Sequence, residues 1–386
     1  YNVVVGDEAG TAITTGDENT AVGYAALDAN TTASYNTAVG KDAAGATTTG
    51  NSNTAMGRHS LLANTEGSFN TALGRDALKT NTTASNNTAV GYASLTANTT
   101  GHSNIAVGGY ALTANTTALY NTAVGYVALA FNTTGANNTA VGKDALKANT
   151  TSSNNTAVGK DALLANTTGT AGTAVGKGSL ASNTTGTDNT GLGALALNAT
   201  TTGALNVAVG RSALQSNTTG ANNTAVGYNS LIANTTGTQN TALGESALLA
   251  NTVGANNTAI GREALKSNTE GSFNVAMGRT SLTTNTTGSN NVAVGYQALN
   301  ASTTATGNTA LGHNSLSSDT TGSSNVAVGK GAGGALTTGG QNVAVGFEAG
   351  DGSDTSDYNT AVGWQALSGN AGDNNTVVGA QAGVAA

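Results

Sequence analysis

The chain restates one 17-residue phrase from end to end: Asn-Thr-Ala-Val-Gly, a variable pair, Ala-Leu, then Ala-Asn-Thr-Thr-Gly. The register runs through Asn2, Asn19, Asn36, Asn53 and Asn70 to Asn359, with one 16-residue step to Asn375. A unit this short has no apolar face large enough to bury by itself, so each copy must stack on its neighbours. The period therefore predicts a parallel β-solenoid, one repeat domain over residues 1–386 with about 22 coils.

Composition sharpens that reading. Charged residues are 9% and aromatics 4%, while 54 of 386 residues are glycine. Such a chain could be disordered for want of apolar area. A disordered segment, however, has no reason to keep an aliphatic residue at the fourth place of each repeat, as Val22, Val39, Met56, Leu73, Val90, Ile260 and Leu311 do. Cysteine is absent, which excludes disulfides and thiolate metal sites, and proline is absent too, which suits an uninterrupted hydrogen-bond ladder. A net charge of −7 offers no basic footprint for nucleic acid or an anionic membrane. No apolar run approaches the roughly 20 residues that span a bilayer. The chain opens inside a repeat at Tyr1-Asn2 and closes inside one at Gly383-Val384-Ala385-Ala386, as a mature or excerpted segment would, with ends that pair with another molecule or continue in missing sequence.

Asn87 to Ser103 serves as a model coil. Thr88-Ala89-Val90 alternates as a short strand, with Val90 on one face and Ala89 on the other. The reading places Val22, Val39, Val90 and Val124 in an inner column, with Leu95 and Leu129 as second inward anchors on a return strand, two short strands to the coil. Gly91 belongs to a position that is glycine in all 23 copies, among them Gly23, Gly40, Gly57, Gly74, Gly108, Gly125 and Gly142. Within one chain that constancy implies a positive φ or an approach too close for a Cβ. Asn98-Thr99-Thr100-Gly101 has turn chemistry and closes the coil. The interior between these columns must be narrow, so burial against other copies would add stability.

Val207-Ala208-Val209-Gly210, Val292-Ala293-Val294-Gly295, Val326-Ala327-Val328-Gly329 and Val343-Ala344-Val345-Gly346 resemble the head repeats of trimeric autotransporter adhesins, the YadA-like family, and the resemblance spans essentially the whole chain. It implies a left-handed parallel β-roll, assembled as a homotrimer, displayed on the cell surface and used for attachment. The unit here is longer than usual for that family, the extra length falling in the Asn-Thr-Thr-Gly turn, and residues 1–386 hold only repeats, without that family's neck, stalk or membrane barrel.

Sharper chemistries find little support. His59, His102 and His313 occupy three different repeat positions, so no base and nucleophile pair forms. Asp351, Asp354 and Asp357 with Ser353 make one local acidic cluster, read as a solvated loop because a Ca²⁺ site needs several converging oxygens. Gly329-Lys330-Gly331-Ala332-Gly333-Gly334 lacks the Lys-Ser/Thr and helix of a phosphate loop. Asn30, Asn98, Asn115, Asn149 and Asn217 satisfy the N-glycosylation pattern, set against an alternative in which they stack as an amide ladder. Lys143, Lys160 and Lys177 share a column, with Asp144 and Asp161 beside the first two, and read as a solvated face or a site for an anionic glycan. Tyr24, Tyr92, Tyr126, Tyr228 and Tyr296 follow the turn glycine and suit either lateral packing or ligand contact.

These observations predict an extracellular or cell-surface fibrous protein without catalysis or cofactor, an adhesin head or filament subunit. Its partners would be itself, as trimer or end-to-end filament, and a host matrix protein or surface glycan, met with avidity because one surface recurs. A phage tail-fibre or receptor-binding segment on a virion is the alternative. An ice-binding surface is a second, against which stands the want of a flat Thr-x-Thr strand face.

Overall fold

A computed structural model describes residues 1–352, 354–369 and 371–384. It contains 23 strands of three residues each, the first Val3–Val5 and the last Thr376–Val378. They fall on the Thr-Ala-Val segments because β-branched residues favour extended backbone and the following glycine ends it. There is no helix among the described residues. The architecture is an all-β parallel solenoid of about 22 turns. Thr88 pairs with Ile105, Ala89 with Ala106 and Val90 with Val107, one coil of 17 residues apart. The 16-residue step keeps the register, Thr360 pairing with Thr376.

Close contacts divide the chain into two units, Tyr1–Gly191 and Leu192–Ala386. In the first, the strands from β1 (Val3–Val5) to β11 (Thr173–Val175) pair parallel in sequence order. In the second, those from β13 (Val207–Val209) to β23 (Thr376–Val378) do the same. The remaining strand, β12 (Thr190–Leu192), contains the boundary.

Each coil has one strand, not two. On the return side Ala93 and Leu95 both take φ of +52°, which no extended run accommodates. Axial bonding persists there: the Ala93 amide donates to the Arg75 carbonyl at 3.0 Å and the Leu95 amide to the Ala111 carbonyl at 2.9 Å. A left-handed leucine costs roughly 1–2 kcal/mol. Complete burial of its side chain, 0% exposed in Leu95, offsets that with about 1.5–3 kcal/mol.

The strands also face the other way from the sequence expectation. Ala21, Ala38, Ala89 and Ala123, at the strand centres, are 0% exposed, whereas Val22, Val39, Val90 and Val124 lie half-buried on the outer face. Met56, Leu73 and Leu311, in the same column, are 39, 44 and 48% exposed. Of the expected inner column only Leu95 and Leu129 point inward, both 0% exposed. The reason is width. At Gly350, which stands in the leucine column, a Cβ would come within 3.1 Å of the Ala344 Cβ, so the leucines point straight at the strand centres. A leucine opposite leaves room for a methyl and no more. Where the strand centre is Val4 or Val377, the leucine position is Gly10 or Gly383, whose added Cβ would meet the valine methyls at 3.2 Å.

Two asparagine columns complete the interior. In one, the Asn104 amide donates to the Asn87 Oδ1 at 2.9 Å and the Asn104 side chain to the Ala118 carbonyl at 2.8 Å. In the other, the Asn98 Nδ2 donates to the Asn81 Oδ1 and to the Gly101 carbonyl, both at 2.8 Å. Buried amides are tolerated because the next coil satisfies them. The five glycosylation candidates belong to this second column: Asn30, Asn98, Asn115, Asn149 and Asn217 are all 0% exposed. Their amide nitrogens face the interior, and the folded coil presents none of them to carry a glycan. The turn glycines from Gly23 to Gly142 named above have φ of +129° to +139°, and a Cβ on any of them would lie 2.5–2.8 Å from the backbone of the glycine one coil on.

Candidate functional site

With alanine pointing in, the first and third residues of each strand point out. The third is Val, Leu, Ile or Met in every strand and the first is Thr, Val or Ile, so the face carries no charge. Val158, Val175, Leu243 and Met277 are 36, 39, 46 and 40% exposed. A lone exposed valine is ordinary. A column of them repeated at the strand spacing of about 4.8 Å makes a contiguous apolar stripe along each unit, and such stripes mark contact surfaces.

The columns beside this face are more polar. Tyr24, Tyr92, Tyr126, Tyr228 and Tyr296 are 39–53% exposed. Cations from adjacent coils cover three of the rings: Lys41 over Tyr24 at 5.0 Å, Arg75 over Tyr92 at 5.4 Å and Arg279 over Tyr296 at 5.8 Å. Lys143 and Lys147 reach Asp144 at 3.5 and 3.3 Å, and Lys160 reaches Asp161 at 3.3 Å, with Lys177 next in the column. Solvated pairs of this kind contribute little energy.

The histidines meet different neighbours. His59 lies between Asp42, at 3.4 Å from Nε2, and Asp76, at 3.1 Å from Nδ1. Burial raises the Asp76 carboxyl, but the His59 hydrogen bond and the charges of Lys79 and Arg75 outweigh it and hold the group below its ordinary value. His102 meets the Tyr120 ring edge-on at 5.3 Å, and His313 stacks on Tyr296 at 5.3 Å. In the acidic cluster the Asp357 side chain accepts from the Gly340 amide at 2.7 Å, burial pushes the Asp351 carboxyl up, and Ser353 lies outside the described residues. Asp354 accepts the Thr337 amide through its backbone carbonyl at 2.7 Å. Among the described residues no group of three or more His, Cys, Asp or Glu converges to hold a metal. Nor is any helix among them long and apolar enough to cross a membrane. In the glycine-rich segment Gly331 and Gly333 take φ of +67° and +57° and continue the coil.

The outward stripe is the feature that sequence reasoning missed. Alternation in Thr-Ala-Val allows either face to be inner. The usable signal was variability: across copies the third position exchanges Val, Met, Leu and Ile, whereas the centre is alanine except at Val4, Gly191 and Val377. A tight interior fixes side-chain volume, and a surface does not. No protein-family model matches the chain, and no curated protein matches it in sequence.

Proposed function

We propose that this chain is an extracellular fibrous element that assembles with copies of itself through the outward strand face and presents its turns many times over, as an adhesin head or filament subunit. The uncharged aliphatic stripe carries this reading. Its third-position residues recur coil after coil, and covering them with a second copy removes apolar area from water at about 25 cal/mol per Å². The likeness of the repeats to YadA-like heads points to three chains around an axis. Thr32 and Thr100 in the turns stay exposed and would face a matrix protein or surface glycan. Repetition then turns weak contacts into avidity.

Sedimentation velocity tests the reading. The wild-type chain should run as an oligomer, and a Leu243→Lys, Met277→Lys, Leu311→Lys variant should run as a monomer with unchanged circular dichroism. A monomeric wild type overturns it.

One observation favours a second reading. The outward face, threonine or a β-branched aliphatic at the first position and an aliphatic at the third, is uncharged and held at strand spacing by a hydrogen-bonded sheet, a geometry suited to ordering water as ice does. A monomeric wild type that shows thermal hysteresis would select ice binding over assembly.

A further inference from the structure

The repeat is broken in one place by several substitutions that converge. In the column after the turn glycine every copy but one carries a side chain; the exception is Gly109, where a Cβ would lie 3.6 Å from the Tyr126 ring. The next column holds no other Tyr, Phe or Trp, yet places Tyr110 at φ of +60°. One coil on, the same column holds its single valine, Val127, also at +60°, a conformation unfavourable for a β-branched side chain. Phe131 stands in a column that is otherwise Ala, Ser, Thr or Gly. The whole column of Tyr110 and Val127 is left-handed, from Glu8 at +56° to Gln381 at +52°, so what departs from the pattern here is the bulk of Tyr110, Val127 and Phe131, and bulk against the chain's own repeats calls for a local cause.

Tyr110, Val127 and Phe131, with Tyr126, line one hollow of about 390 Å³, within the size range of ligand sites. Phe131 and Tyr126 are each 53% exposed, and Tyr110 is 38% exposed. The rings of Tyr110 and Tyr126 stand perpendicular with centroids 6.1 Å apart, so one offers a face where the other offers an edge. At the rim are the Thr113 hydroxyl, which donates to the Tyr110 carbonyl at 2.7 Å, and the Lys147 ammonium. Asp144 pairs with that ammonium from 3.3 Å and with Lys143 from 3.5 Å, so the cation at the rim is held in an ion pair rather than free to select an anion.

We infer that this hollow binds a pyranose ring of a neutral sugar. A pyranose has an apolar C–H face, which covers an aromatic ring, and a belt of hydroxyls, which the phenol, threonine and ion-pair groups at the rim can bond. A purely aliphatic ligand would leave those polar groups desolvated and unpaired. The biological use of such a site rests on the display reading above; its chemistry rests on the hollow alone.

Saturation-transfer NMR on the full chain with the methyl glycosides of glucose, galactose, mannose and N-acetylglucosamine tests it. At least one should receive saturation at its ring C–H protons and bind in the millimolar range. Phe131→Ala and Tyr110→Asn install residues that the same columns hold in other coils, as Ala114 and Asn229, so the coil should fold; each should weaken binding at least fivefold. Tyr228→Asn, away from the hollow, should leave it unchanged. The inference is overturned if none of the glycosides shows transfer, if both hollow variants bind like wild type, or if the hollow takes up an aromatic peptide and no sugar. The oligomeric state of the same samples separates this outcome from failure of the assembly reading.

Discussion

At Ala89 the Cβ points into an interior that Leu95 already fills, whereas one residue later Val90 points out. The two positions should therefore respond oppositely to a change in size. Ala89→Val adds methyls to a closed core and should destabilise by about 1–3 kcal/mol. Val90→Thr, nearly isosteric and half-exposed, should move the stability of an isolated chain by less than about 0.5 kcal/mol. Denaturant unfolding of the two variants decides it; a larger loss at Val90 would restore the valine column to the interior. The chain itself has made the compensated exchange twice, at Val4 with Gly10 and at Val377 with Gly383, and those pairs were open to a reader of the sequence who compared the columns two by two.

Along one element, the second asparagine column is a continuous amide ladder only while every rung can both donate and accept. Thr47 interrupts it between Asn30 and Asn64, and its buried hydroxyl has no hydrogen-bond partner. Ser302 does so as well, leaving its own hydroxyl and the Asn285 Oδ1 unpartnered. Thr47→Asn restores the rung and should stabilise by about 1 kcal/mol in thermal unfolding. Asp319 replaces the amide differently. It is 0% exposed, accepts from the Asn308 Nδ2 at 2.9 Å and the Gly322 amide at 2.8 Å, and burial pushes its carboxyl up to about 7 despite those bonds. In the unfolded chain the group titrates near 3.8. Between these values the folded state holds a proton that the unfolded state has lost, so this group's contribution to stability is full below about pH 4 and is lost as the pH rises to about 7. Asp319→Asn should remove that contribution, exceeding wild type by up to about 4 kcal/mol above pH 7 and matching it near pH 4. Stability measured against pH for both proteins tests this, and parallel profiles would count against a buried, titrating Asp319.

For the whole molecule, the chemistry of the proposed assembly face sets how association responds to solvent. No charge lies on the outward strand positions, so sodium chloride should leave self-association intact where a charged interface would weaken. Sulfate, which strengthens apolar burial, should enhance it. The midpoint of thermal unfolding should rise with protein concentration, since partners that bind only the folded chain stabilise it by mass action. Light scattering in the two salts and calorimetry across a concentration series check both, and dissociation in sodium chloride would point instead to the Lys and Asp columns.

The 17-residue period by itself determined that coils stack in register, that the sheet is parallel and that the turn glycines are obligatory, because one step repeated down a chain leaves the backbone a single way to satisfy its hydrogen bonds. It also contained the amide ladder as one of two readings of Asn-Thr-Thr. Only the tertiary structure decided which side of each strand is inside. That choice depends on the distance between the strand and the leucine opposite, which is set by left-handed residues on the return segment such as Ala93 and Leu95, and no propensity predicts a leucine there. The same distance settled the asparagines, burying the candidate glycan acceptors, and it placed the aliphatic column on the surface where a partner can reach it.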